Sequence, residues 1–465
     1  MKKLLCIFLS TCMLCGMLTG CGDEKPIDVK KTTYTTQGKE TKLVGDENTT
    51  GELSVSYYGD AMDYPKDCLT VAVEKFKELY PNVQLNVEQV PSSENWEEYS
   101  NKLATEVMSG KGPDLFWTQA YMDIPKMMNA GVFADMHKYF EADKNFNISD
   151  YNEAVFTDEQ PQGKQYVVPL KYQIPLFMTT QTIIDKIGFD VKKCKDYESC
   201  AAEMARVLDD NKNNVYSSQI VSDFSLPMWF PAYSGLDTWN YSNKTATVNT
   251  PQIKKIVEQI KSDFYPLKSN GSSQYGGLWG AKGLKEEKSL FIDFSLYSYE
   301  FEAISSYQLI NIDEEAVAFP WRNVNGKLDA FVQDSVAVRN TSKNKDNAYL
   351  FMKILLSPEI QKAGYALFSI PVSNVCVSQQ LSDRMNSQKR NEEASIHHGV
   401  PKLEKLTQDF IKQYMGYLDE IDNVFYANKG SNIFREEMTP YFEDKKSYEE
   451  CIENAQDQLE IYISE

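Results

Sequence analysis

The stretch Gly110-Lys111-Gly112-Pro113-Asp114-Leu115-Phe116-Trp117-Thr118-Gln119-Ala120 runs from a flexible, charged lead-in through Pro113 into a short apolar run, and stops at Trp117 ahead of two polar residues. A buried strand normally hands over to a turn residue, so an indole at this position asks for an explanation. The chain before it supplies one. Residues Glu52 to Tyr58 alternate with the period of a strand and close on Gly59-Asp60. Leu69, Val73, Phe76, Leu79 and Tyr80 then recur at helical spacing until Pro81 stops the helix. Val83, Leu85 and Val87 alternate again, and Trp96, Tyr99, Leu103 and Val107 form a second helical stripe that ends at Gly110. This strand–helix–strand rhythm predicts an α/β fold with parallel strands, right-handed crossovers and helices on both faces. Ligands of such sheets settle outside the carboxyl ends of the strands. Tyr58 and Trp117 fall at such ends, so the indole is expected to form a floor for something that enters a cleft.

The 465 residues are too many for one ordinary core and predict two or more lobes. A hydrophobic content of 42%, with aromatics at 12%, marks a globular chain. Its first twenty residues differ. Lys2 and Lys3 precede an apolar run from Leu4 to Leu18 that is too short to span a bilayer, and Leu18-Thr19-Gly20-Cys21 looks like a bacterial lipobox. Segment 1–20 is therefore expected to be a lipoprotein signal, with Cys21 acylated and the membrane touched only through that lipid. Segment 21–50 is poor in large apolar residues and reads as a tether. Loss of Lys2 and Lys3 from 48 basic residues, against 67 acidic ones, moves the net charge from −19 to −21. Such a surface repels nucleic acid, and no basic tract offsets it. Besides Cys21, five cysteines remain in the mature chain, Cys68, Cys194, Cys200, Cys376 and Cys451, with the pairing of Cys194 and Cys200 open. No metal site is expected from His137, His397 and His398, and no cofactor.

Four runs, Phe76 to Val83, Ser109 to Phe116, Ala130 to Met136 and Gly163 to Pro169, are followed late in the chain by Asn347 to Gln361 and Ile370-Pro371-Val372. In this order they resemble the extracellular solute-binding proteins of sugar ABC importers, the maltose-binding-protein-like group. The resemblance implies a two-lobed periplasmic-binding-protein-like fold, each lobe a sheet flanked by helices, joined by a hinge that the chain crosses several times. The lobes are expected at 51–170 with 322–369 and at 171–321 with 370–465, with crossings near Pro169 to Pro175, Phe319 to Arg322 and Ile370 to Cys376. Ligand contacts carry over to Trp117 and Gln119 after the Pro-Asp strand and to Tyr172 and Gln173 at the first crossing. Trp229 and Tyr297 are the matching aromatics of the second lobe, and Trp321 and Arg322 sit at the second crossing. A sugar ring presents weakly polar C–H faces and a rim of hydroxyls, which suits aromatic planes with amides and carboxylates around them. Asp60, Gln119, Gln173, Gln333 and Asp334 are polar groups near expected strand ends, and Tyr58 joins the aromatic set. Trp239 and Trp279 are expected to be structural, while Arg322 also suits a hinge ion pair and Asp334 a turn.

The chain departs from the family at Thr179-Thr180-Gln181-Thr182, and at Gln333-Asp334, where the family commonly has a glycine pair. Side chains there reshape the pocket and leave the identity of the solute open. The resemblance implies a monomeric, lipid-anchored protein on the extracytoplasmic face of the cell membrane. It would bind a sugar or oligosaccharide and deliver it to an ABC transporter permease. The alternatives are a binding protein for a polyamine, metal complex or other small solute, and a secreted glycoside hydrolase. Gly-x-Ser-x-Gly, His-Glu-x-x-His and phosphate-cradling Gly-x-x-x-x-Gly-Lys-Ser/Thr patterns are absent from the sequence, so no enzyme is expected.

Overall fold

The computed structural model describes residues 34–36, 39–41, 45–58, 68–91, 95–118, 122–156, 160, 163–210, 234–236, 238–264, 291–293, 316–362, 370–379 and 408–464. The opening rhythm is present as β1 (Gly51–Tyr58), α1 (Cys68–Leu79), β2 (Val83–Val90), α2 (Trp96–Met108) and β3 (Leu115–Thr118). Asn95 caps α2 by accepting the Glu98 N–H at 3.1 Å, and Glu97 and Glu98 sit favourably in its first turn. The helix stops because Gly110 turns left-handed at φ 75°, a conformation that L side chains resist. Leu115, Phe116 and Trp117 are each 0% exposed, so β3 is buried on both faces. That is why its sequence is a continuous apolar run and does not alternate.

β1 pairs in parallel with β2 and with β3. The chain then adds β4 (Val167–Gln173), crosses to β5 (Leu176–Thr180), β6 (Ile292–Asp293) and β7 (Ala316–Pro320), and returns as the long β8 (Leu328–Val338). β8 lies antiparallel between β3 and β4. Helix α3 (Lys345–Leu355) leads on to β9 (Ile370–Pro371), β10 (Ile421–Phe425), α4 (Lys429–Phe442) and α5 (Tyr448–Ser464). The seven-stranded sheet has the order β9-β4-β8-β3-β1-β2, with β10 beside the first half of β8. A separate antiparallel sheet has the order β6-β5-β7. The chain thus leaves the large sheet after Gln173 and rejoins it after Pro320.

α1 and α3 pack together over the large sheet, with Phe76 5.4 Å from Phe351 and 5.0 Å from Tyr80. Each such ring contributes about 1.5–3 kcal/mol by leaving water. The small sheet is held by Phe177, Phe189, Phe291 and Phe319, whose ring centroids lie 4.8–6.3 Å apart. At the amino end of β3, Asp114 ties three segments: Oδ2 accepts from the Ser54 N–H at 2.9 Å and the Ser54 hydroxyl at 2.7 Å, and Oδ1 accepts from Ser342 at 2.7 Å. Inside the span expected as a tether, Tyr34–Thr36 pairs with Lys39–Thr41 as an antiparallel ribbon, in keeping with the strand preference of Tyr and Thr.

Candidate functional site

β3 and β4 both run antiparallel to β8 and are therefore parallel to each other, and β1 and β2 run with β3. Four carboxyl ends, at Tyr58, Val90, Thr118 and Gln173, thus lie on one side of the sheet. Tyr57 meets Trp117 edge-on, with ring centroids 5.1 Å apart and planes at 78°. Tyr58 lies against Tyr99 at 5.4 Å. The Tyr99 and Ser56 hydroxyls share a 2.5 Å hydrogen bond, and Thr118 bonds Ser335 across the sheet. Burial pushes the Tyr99 hydroxyl up to about 12, against the Ser56 hydrogen bond and with help from Glu88 and Glu106, so it stays protonated.

Two of the expected contact residues carry a feature that sequence does not show. Trp117 is 0% exposed and Gln173 1% exposed. Among the described residues, neither the Trp117 indole Nε1 nor the Gln173 Nε2 has a hydrogen-bond partner. A buried polar group in that state costs about 1–3 kcal/mol, and nearly all such groups in folded proteins are paired. The indole expected as an open floor is a covered ring whose N–H meets no acceptor among the described residues.

The other expected residues divide. Tyr172 is 0% exposed, and its hydroxyl accepts from the Asn152 amide at 3.2 Å. Trp321 stands edge-on between Phe177 at 4.9 Å and Tyr197 at 5.1 Å, in the packing of the small sheet. Arg322 forms an ion pair with Glu420 and reaches the Gly326 carbonyl at 3.4 Å. Asp334 pairs with Lys171 at 3.1 Å, and the β8–β4 register shifts on both sides of it, so Gln333-Asp334 occupies a bulge. Asp60, Gln119, Trp229 and Tyr297 lie outside the described residues, as does Cys21. The structure therefore brings Tyr58, Trp117 and Gln173 to one side of one sheet.

Sequence reasoning missed Asp329, which is 1% exposed on β8. Its Oδ1 accepts from Asn323 at 2.9 Å and Asn423 at 2.8 Å, while the nearby cation Lys327 is bound to Asp422 at 3.0 Å. Burial raises its carboxyl to about 7, the two amides oppose the rise, and Asp422 adds to it. A carboxyl raised in the folded state contributes stability that is complete below its unfolded value, about 3.9, and is lost as pH rises through the folded one. Asp329→Asn is expected to unfold at higher temperature than the parent at pH 8 and to flatten the decline in stability between pH 4 and pH 7. Calorimetry across that range checks it, and parallel profiles would contradict it.

Aligned strand ends on a large sheet, with a second sheet reached by crossings after Gln173 and after Pro320, define a two-lobed binding protein of the periplasmic type. Family comparison agrees. The chain belongs to the bacterial extracellular solute-binding proteins, whose family model matches residues 69–362. That family places it on the extracytoplasmic side of the membrane. Among solved structures it is similar to the sugar-binding protein MalE from Xanthomonas citri, at a TM-score of 0.61 and 13% identity over 89% of this chain and 97% of that one. It is similar also to the GacH receptor of Streptomyces glaucescens, solved unliganded and with acarbose, at 0.57 and 16% over 90% and 100%. An ABC substrate-binding protein from Listeria monocytogenes in complex with cycloalternan gives 0.55 and 15% over 90% and 100%. No curated protein sequence matches the chain. Among the described residues, no helix is long and apolar enough to cross a membrane.

Proposed function

We propose that this protein captures a sugar or oligosaccharide between two lobes, 51–170 with 322–369 and 171–321 with 370–465, and hands it to the permease of an ABC transporter. It acts as a monomer, without catalysis, and acyl chains on Cys21 hold it to the outer face of the cell membrane. The observation that carries the reading is the pair of buried N–H donors, on Trp117 and Gln173, that no acceptor among the described residues meets. Sugar hydroxyls and ring oxygens supply acceptors without adding charge. A polyamine is a cation whose ammonium groups only donate, so it answers neither N–H, and the carboxylate of Asp334 is already paired with Lys171. The similar proteins from Streptomyces and Listeria were solved with acarbose and with cycloalternan, both carbohydrate-like ligands.

A thermal-shift screen of the mature chain against mono- and oligosaccharides, polyamines and chelated iron tests the ligand class, because a ligand that binds only the folded state raises its melting temperature. Analysis of the glycan panel after incubation separates a binder, which leaves it intact, from a hydrolase. Mass spectrometry of the N-terminal peptide checks acylation of Cys21. Trp117→Phe keeps a ring in the same packing and removes only the N–H. It is expected to weaken the best sugar hit about tenfold, equivalent to about 1.4 kcal/mol. An unchanged dissociation constant in calorimetry would remove the donor role.

A further inference from the structure

Beyond the strand ends, a second polar centre is built entirely from protein groups. Asp123 is 5% exposed and caps the short helix Ile124–Asn129, its Oδ1 accepting from the Lys126 N–H at 3.0 Å. Its Oδ2 accepts the hydroxyls of Tyr241 at 2.6 Å and Tyr462 at 2.8 Å and the Lys429 N–H at 3.3 Å. Burial, with Asp123 beside it, pushes the Tyr241 hydroxyl up, so it remains a donor. Further bonds surround this point. The Ile124 N–H donates to the Ala427 carbonyl at 3.2 Å, and Lys126 Nζ donates to the Tyr462 carbonyl at 3.1 Å while sitting 4.1 Å above its ring. Asn129 donates to the Tyr241 carbonyl at 3.2 Å and accepts from Ser242 at 3.0 Å.

The two sides of this centre belong to different parts of the chain. Asp123 and its helix follow β3 of the large sheet by a few residues. Tyr241 lies between two short paired strands, Trp239–Asn240 and Thr245–Ala246, and Tyr462 lies near the end of α5, while Lys429 opens α4 four residues after β10 of the large sheet. These last three segments are fastened to one another. Gln456 donates to the Ala246 carbonyl at 2.8 Å, and Lys244 to the Ser464 carbonyl at 2.9 Å. Gly430 lies so close to Trp239 that a Cβ there would fall 2.7 Å from the indole.

We propose that Asp123 with Tyr241 and Tyr462 is a closure latch, tying the rim of the first lobe to the second just beyond the strand ends without touching the bound molecule. The proposal rests on the lobe division given above. Both oxygens of Asp123 are occupied by protein donors, which leaves a ligand no evident share in them. Separation of the lobes would hand these groups to water, so the latch biases the equilibrium between open and closed without fixing it. A binder pays for an under-populated competent state by a proportional loss of apparent affinity.

Tyr241→Phe/Tyr462→Phe in the full mature chain keeps both rings and removes both hydroxyls. Small-angle scattering without ligand is expected to give a larger radius of gyration than the parent, and the dissociation constant of the best sugar hit is expected to rise about tenfold. The scattering comparison needs no ligand, so it decides the latch even if no sugar binds. An unchanged radius overturns the proposal, and a lower melting temperature with unchanged radius and affinity would mark a hub that only stabilises the fold. Should the double variant fail to fold by circular dichroism, Asn129→Ala carries the same comparison, because Asn129 is exposed and its loss removes two of the bridging bonds.

Discussion

Lys353→Met is expected to cost the protein about 3–5 kcal/mol, the range for removing one partner of a buried ion pair. Lys353 and Asp143 are 3% and 0% exposed in their side chains and are in direct contact. Asp143 also accepts from the Tyr349 hydroxyl at 2.8 Å and the Asn145 N–H at 3.0 Å. Burial, reinforced by Asp143, pushes the Tyr349 hydroxyl up, so it cannot take over as a charge partner. Methionine fills the space of the lysine stem and leaves the carboxylate with two neutral donors and no cation. A domain is stable by about 5–15 kcal/mol, so the loss is a large share of the total. Urea unfolding measures it. Lys353→Met/Asp143→Asn is expected to recover most of the loss, because no uncompensated charge then remains. A single-variant cost below 1 kcal/mol would mean that water reaches Asp143.

The first five elements were legible because their periods differ. Alternation in β1 and β2, the spacing of three and four in α1 and α2, and the continuous apolar run of β3 each follow from which faces are covered. Pro81 and Gly110 marked the stops, since proline lacks the N–H that a helix needs and glycine readily takes the left-handed conformation that closes one. β8 was not legible as one strand. It spans eleven residues, pairs with three neighbours and bends at Gln333-Asp334, and a bulge breaks the period that would announce a strand.

The site was legible in position more than in role. Counting to strand ends singled out Tyr58 and Trp117 and the family resemblance singled out Gln173, and the three lie at carboxyl ends on one side of the sheet. Residue type alone could not tell that Trp117 is covered by Tyr57, or that Trp321 packs between Phe177 and Tyr197, because a tryptophan serves a core and a cleft with the same chemistry. Asp123 and Asp329 were invisible for a related reason. Apart from the Lys126 N–H on Asp123 and the Asn323 amide on Asp329, their donors come from residues more than ninety positions away, and no local pattern carries that information.

Asp114→Ala is expected to cost about 3 kcal/mol or more while leaving solute affinity within about twofold of the parent. Its carboxylate gathers the Ser54 N–H and hydroxyl, the Ser342 hydroxyl at 2.7 Å, the Asn344 amide at 3.2 Å and Arg339 at 3.4 Å. Alanine strands all of these donors where β1, β3 and the turn after β8 converge. Burial alone would raise this carboxyl, but the Ser54 N–H, Ser342, the Ser54 hydroxyl and Asn344 outweigh it and hold it below the usual carboxylate range. A depressed carboxyl contributes stability that is present above its unfolded value, about 3.9, and is lost as pH falls through the folded one. The parent is therefore expected to lose stability on acidification below about pH 4 more steeply than Asp114→Asn, which keeps the shape of the group but not its charge. Affinity is expected to hold because Asp114 stands at the amino end of β3 and Trp117 three residues on, about 10 Å along the strand. Acid titration of unfolding and isothermal calorimetry separate the two effects. A large loss of binding in Asp114→Ala with undiminished stability would show that the motif serves the solute directly and not the frame that carries Trp117.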